Sequence, residues 1–416
     1  MSTRHQNPSQ GPRTTHPLCS SLIGAGLALA LTATALGQDN AVELRNATGS
    51  SGYLRIADDA SLEPQTFTLE AWVRPGGAGV GNTLDQGGAT VLAKPIEGGA
   101  GSFIASYALQ WRPNDGRFRG IVSHAFGSSG TTVTGQSVVL AGTPVHVALT
   151  FDGSHVRLYV GGALDAVNSA NGSGVAYGSN DVLVGAANYC CGFLRRFDGR
   201  VDEVRLWDHA RDDVSIAAEA TCAPAAGTPG LVGRWSFDGG SLADESGHGN
   251  DATAVGGGVS TVDPLLTRTA SCAPVGTRYC SPGVPNSTGA AGMLSVFGST
   301  APADDALVLV ASSLPSSSFG FFLTSQTQGF VANPAGSQGN LCLGGSIGRY
   351  VGNGQIRSTG RGGSFVLRPS LSTTPTPNGL VQVVAGESWS FQAWHRDAVG
   401  GQATSNFTDG VRVDYL

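Results

Sequence analysis

Apolar and polar residues alternate along this chain in short runs. Phe67, Leu69, Ala71 and Val73 interleave with Thr68, Glu70, Trp72 and Arg74, and Pro75, Gly76 and Gly77 close the run. A period of two predicts a strand with one buried face. Runs at 145–151 and 156–160 flank Asp152-Gly153-Ser154-His155, whose Asp-Gly reads as a hairpin turn. Further strands are predicted at 182–186, 201–207 and 231–237. A short helix is predicted over 212–220, with Asp212 as its N-cap. From about residue 274 the texture changes. A turn-rich stretch at 282–289 precedes apolar runs at 307–310, 319–323, 365–367, 380–384 and 389–394. The pattern is all-β, in two segments.

Composition sharpens this picture. Gly contributes 62 of 416 residues, and Lys94 is the only lysine, which favours strands and turns over helices. The 24 Lys and Arg face 30 Asp and Glu, which argues against a nucleic-acid partner. Residues 1–20 carry Arg4 and Arg13 but no acid, and 22–36 is an apolar run of Leu, Ile, Ala and Gly broken only by Thr. Ala35 and Gly37 then predict a secretory signal peptide, residues 1–37, cleaved after Gly37. The run is too short to span a bilayer, and no later segment is apolar enough to do so. The chain beyond the leader holds Cys190, Cys191, Cys222, Cys272, Cys280 and Cys342. An even number suits an exported protein. Grouping by segment favours Cys222 with Cys272, Cys280 with Cys342, and a vicinal Cys190–Cys191 bridge, the alternative for the last being two free thiols.

The run Phe67–Pro75, the hairpin over 146–162 and the stretch Phe197-Asp198-Gly199-Arg200-Val201-Asp202-Glu203-Val204-Arg205-Leu206-Trp207-Asp208 resemble the laminin G-like jellyroll domain of the concanavalin A-like lectin/glucanase superfamily. So do Leu231-Val232-Gly233-Arg234-Trp235-Ser236-Phe237-Asp238 and the loop 244–251. The resemblance implies a jellyroll β-sandwich over 38–273, with 231–262 supplying its last strands. Residues 274–416 then form a second, smaller all-β domain. Tyr279-Cys280-Ser281-Pro282, Gly339-Asn340-Leu341-Cys342-Leu343-Gly344 and Ser405-Asn406-Phe407-Thr408-Asp409-Gly410 resemble a C-terminal module of exported planctomycete proteins, a likeness that names no activity.

Catalytic signals are weak. Retaining glucanases place an acid and a nucleophile about 5 Å apart. Asp202, Glu203 and Asp208 lack the spacing that sends alternate acids into one cleft, and Glu203 reads as solvated. Gly344-Gly345-Ser346-Ile347-Gly348 copies a nucleophile elbow, but no following helix supports it. The loop Asp244-Glu245-Ser246-Gly247-His248-Gly249-Asn250-Asp251 offers oxygen ligands for Ca2+ through Asp244 and Asn250, with Asp202 as a cross-strand ligand. The alternative is an Asx turn needing no ion. Trp111, Tyr107 and Tyr189 offer aromatic faces to a sugar, or serve as core packing. The expected function is an exported, non-enzymatic recognition or adhesion protein that binds a glycan or an envelope protein surface. The alternatives are a structural cell-envelope protein and a divergent glycan hydrolase.

Overall fold

The computed structural model describes residues 39–46, 52–76, 88–96, 105–125, 129–187, 196–220, 222–265, 272–360 and 362–416. The expected leader, Tyr189, Cys190 and Cys191 lie outside them. The first sandwich is built from β1 (Ala41–Leu44), β2 (Tyr53–Ile56), β3 (Phe67–Pro75), β4 (Ala89–Pro95), β5 (Ala105–Arg112), β6 (Arg117–Ala125) and β7 (Ser129–Thr134). Then come β8 (Val145–Phe151), β9 (His155–Val160), β10 (Ala163–Ser169), β11 (Val182–Val184), β12 (Gly199–Trp207), the helix α1 (Asp213–Glu219), β13 (Leu231–Trp235), β14 (Ala252–Val255) and β15 (Val259–Val262). One sheet runs β10-β9-β8-β3-β12-β1-β15, with β13 pairing the second half of β12; the facing sheet runs β14-β2-β11-β4-β5-β6-β7. Leu44, Phe67, Leu69, Leu109, Phe118, Leu149, Leu158 and Leu206 fill the space between them. Strands β14 and β15 extend the two sheets of this same sandwich, β15 pairing β1 and β14 pairing β2.

β3 departs from the expected half-wet strand. Thr68, Glu70 and Trp72, on the face predicted to be polar, are also buried. The segment after β12 covers that face. The Thr68 hydroxyl donates to His209 O at 2.9 Å, and Trp72 Nε1 donates to Ala220 O at 3.0 Å. α1 itself starts as expected, with the Asp212 carboxylate accepting from Ser215 N at 2.7 Å.

The second sandwich uses β16 (Thr277–Tyr279), β17 (Met293–Phe297), β18 (Val308–Ser312), β19 (Phe319–Ser325), β20 (Thr327–Ala332), β21 (Asn340–Gly344) and β22 (Gly348–Arg349). It continues through β23 (Arg357–Ser358), β24 (Phe365–Leu367), β25 (Thr374–Thr376), β26 (Gly379–Val381), β27 (Ser388–Val399) and β28 (Gln402–Asp414). Its main sheet is β16-β28-β27-β19-β22, with β23 also on β19, and it faces β17-β18-β24 across Leu309, Phe322, Phe365, Phe391 and Val411. Cys222 is bonded to Cys272 and Cys280 to Cys342.

Residues 37–416 form one compact unit. α1 is the joint between its two sandwiches. Ala217 and Ala218 pack against Phe297, Val308, Val310 and Val366. The Asp213 carboxylate accepts from Tyr159 OH on one side and from Ser364 Oγ on the other, both at 2.8 Å.

Candidate functional site

Of the acids weighed for catalysis, Asp202 and Glu203 are occupied in the core, and Asp208 is exposed and accepts from His209 Nδ1 at 2.8 Å. β12 carries a bulge between Asp202 and Arg205, and Glu203 adopts φ 48° there. The bulge breaks the alternation assumed for this strand. Glu203, expected to be solvated, is instead 1% exposed. It accepts from Arg205 Nε at 2.9 Å, Arg205 Nη2 at 2.6 Å and Arg234 Nη2 at 3.0 Å. Glu70 accepts from His146 Nε2 at 3.0 Å and Trp207 Nε1 at 2.6 Å. Burial opposes the charge on Glu70, but the His146 hydrogen bond and the Arg205 guanidinium outweigh it and hold the carboxyl below its ordinary range. Burial holds the His146 imidazole below its own ordinary range, against the pull of Glu70. A neutral histidine beside an ionised glutamate, sealed from solvent, is a structural pair with no access to a substrate.

The expected calcium loop is self-contained. Asp244 Oδ1 accepts from Arg234 N at 2.9 Å and Ser246 N at 2.8 Å; Oδ2 accepts from Ser246 Oγ at 2.8 Å and Asn250 N at 3.0 Å. Four donors fill the four lone-pair sites of a carboxylate. The Asn250 amide donates to Ser61 Oγ and Val232 O, both at 3.0 Å. Asp202 is turned elsewhere and accepts from Leu265 N at 3.1 Å. This donor set does not fit Ca2+: the loop is the Asx-turn alternative, closed by its own N–H and O–H groups. Among the described residues no cluster of three His, Cys, Asp or Glu is placed to hold a metal.

Two of the three aromatic candidates, Tyr107 and Trp111, are corrected in the same way, and Tyr189 lies outside the described residues. Tyr107 is fully buried and donates to Leu62 O at 3.0 Å; Trp111 is 3% exposed and donates from Nε1 to Val139 O at 3.2 Å. Both rings sit in the sandwich core, because on β5 they share the inward face with Leu109. Neither can stack on a sugar.

What the structure does present is a pair of open clefts on either side of β10, each walled on its far side by the C-terminal sandwich. One, of about 770 Å³, is charged, with Arg157, Arg211, Asp152 and Asp212 at its surface. The other, of about 680 Å³, runs between the edge strands β7 and β10 and is lined by Thr132, Thr134, Gln136, Ser137, Asn168, Ser317 and Ser358. Local strand chemistry shapes it. β10 carries a bulge between Leu164 and Ala166, which re-aims Asp165. Asp165 then clamps the loop after β7, accepting from Gln136 N at 2.8 Å and Ser137 Oγ at 2.6 Å. A Cβ at Gly135 would sit 2.3 Å from Asp165 Oδ2, so a larger residue there would displace the carboxylate from this clamp. Asn168 Nδ2 ties β10 to β7 through Thr132 O at 3.0 Å. The result is a concave wall of hydroxyl and amide groups in which the one lining carboxylate is already engaged.

These residues were missed by sequence reasoning. Thr, Ser, Asn and Gln are ordinary surface residues, and Gly135 is one glycine among 62.

The comparisons fit this architecture. Residues 48–217, less than half of the chain, match a laminin G family described as the concanavalin A-like lectin/glucanases superfamily. No curated protein matches the chain. Among solved structures, a Bacteroides ovatus protein provisionally assigned as carbohydrate binding is 18% identical, over 57% of this chain and 63% of its own length, with a TM-score of 0.42. The chain thus spans under two thirds of that relative. The heptameric SAP-like pentraxin of Limulus polyphemus is 13% identical, over 55% of this chain and 96% of its own, with a TM-score of 0.39. The CBM40 of a Ruminococcus gnavus IT-sialidase, bound to α2,3 sialyllactose, is 14% identical, over 43% and 96%, with a TM-score of 0.33. At these scores none of the three transfers a ligand to this chain. The family match and the sheet order together support a laminin G-like, concanavalin A-like domain in the N-terminal half of the chain.

Proposed function

We propose that this chain is a non-catalytic glycan-binding protein of an oxidising, extracellular compartment, and that the β7–β10 cleft holds the sugar. The cleft carries the reading. It is open, it is walled by both sandwiches, and it presents hydroxyl and amide side chains without a free acid–base pair. Sugars are bound by such convergent neutral donors and acceptors, whereas hydrolysis needs two acids flanking the bond. Two disulfides suit export, and no helix among the described residues is long and apolar enough to cross a membrane. Because the Asp244 loop closes on itself, binding is expected to be indifferent to calcium.

A glycan array read in calcium and again in excess EDTA tests this reading, with Thr134→Ala/Gln136→Ala as the cleft variant. Both side chains lie outside the core, so the variant keeps the fold. Two lost neutral hydrogen bonds, about 0.7 kcal/mol each, predict a roughly tenfold higher dissociation constant for every bound glycan. Release of reducing ends from a bound polysaccharide would contradict the non-catalytic reading. Binding abolished by EDTA would contradict the calcium-independent one.

A further inference from the structure

The main sheet of the C-terminal sandwich has an outer face that is only half covered. On β19, Gly320 and Phe322 point inward: Phe322 is fully buried, and a Cβ at Gly320 would lie 2.5 Å from the core ring of Phe365. Phe319, Phe321 and Leu323 therefore point outward. Trp394, the cross-strand partner of Phe321, shares that face. The β20–β21 hairpin covers one end of it. Leu341 and Leu343 pack with Leu323 and Phe407, and Gln392 Oε1 accepts from Cys342 N at 2.9 Å.

Beyond the hairpin the face stays open. Phe321 and Trp394 are half-buried, with ring centroids 4.9 Å apart and planes 31° from parallel. Phe319 is 53% exposed. Arg396, on β27 next to Trp394 on this face, is exposed and supplies donors at the rim. Ser358 is the cross-strand partner of Phe319 and also lines the β7–β10 cleft. Cleft and aromatic face are thus continuous at Ser358.

We propose that this face is a second sugar-contacting surface, and that the ligand is an extended polysaccharide running from the cleft onto the Phe319, Phe321 and Trp394 rings. The inference rests on the glycan reading of the cleft and adds to it the class of ligand: a chain of several residues. Pyranose rings offer flat C–H faces to aromatic rings and hydroxyls to a polar rim, which is the chemistry Phe319, Trp394, Ser358 and Arg396 bring together.

The test is isothermal titration of the full chain with hexasaccharides of cellulose, xylan and mannan and with their disaccharides. The expected result for the wild type is at least one linkage whose hexasaccharide binds about tenfold tighter than its disaccharide. Phe319→Ala and Trp394→Ala should each remove about three- to tenfold of hexasaccharide affinity and leave the disaccharide unchanged. Phe319 is exposed, so its truncation leaves the core intact and keeps the test independent of folding. A wild-type ratio retained in both variants overturns the proposal, and the cleft reading then survives if Thr134→Ala/Gln136→Ala weakens both lengths. A wild type that binds no sugar of the panel overturns the cleft reading and this proposal together, and leaves the aromatic face to a protein partner.

Discussion

Glu70 and His146 make the first sandwich sensitive to acid. His146 is held below its ordinary range in the folded chain, so the unfolded chain takes up the proton first. Stability therefore falls as pH drops through the unfolded imidazole value of about 6.5. Glu70 is held low despite its burial, so a second loss begins below the unfolded carboxyl value of about 4.3 and runs towards its lower folded value. The melting temperature measured from pH 8 to pH 2 should decline in two stages, and His146→Gln should shrink the upper one, leaving the part contributed by His395, which burial also holds low. A flat profile down to pH 5 would contradict this. Removing Arg205 leaves Glu203 and Glu70 buried with weakened compensation. Arg205→Ala should therefore lower the urea-unfolding free energy by about 3–5 kcal/mol. Sequence alone could not reveal this cluster, because Glu203 reaches Arg234 only after a bulge that alternation cannot foresee. Tyr107 and Trp111 failed for a related reason: a run such as 105–112 does not say which of its faces is covered.

At the scale of elements, legibility followed the strength of local rules. β3, the β8–β9 hairpin and α1 are where alternation, Asp-Gly and an Asp N-cap placed them. Strands β4, β5 and β6 gave little signal. In β4 and β5 nearly every position is buried, polar ones such as Thr90, Lys94, Ser106 and Gln110 included, so two covered faces erase the period of two. The cleft was illegible because it joins residues 132–168 to 317–360, a juxtaposition made only by the tertiary fold. α1 gives an element-scale prediction. Asp212→Ala removes the acceptor for Ser215 N and should cost about 1 kcal/mol in urea unfolding. The Cys222–Cys272 bond closes a loop of 50 residues behind the same helix. Its loss in Cys222→Ser/Cys272→Ser should cost about 2–5 kcal/mol.

At the scale of the molecule, one helix joins two sandwiches and thereby builds the wall of the cleft. Asp213 bridges Tyr159 and Ser364, and the small side chains of Ala217 and Ala218 admit Val308 and Val310. The joint sets the spacing between β10 and the Ser317, Ser358 and Gly360 wall, so the proposed cleft's affinity should depend on residues that never touch the ligand. The central claim is that this composite cleft binds a glycan without metal and without turnover. The most direct measurement is titration of the tightest array glycan into wild type and Thr134→Ala/Gln136→Ala, both in EDTA, with the sugar recovered and its length checked. Wild-type binding should be unchanged by EDTA, binding in the variant about tenfold weaker, and the glycan recovered intact. Equal affinity in the two proteins, or a shortened glycan, would contradict the claim.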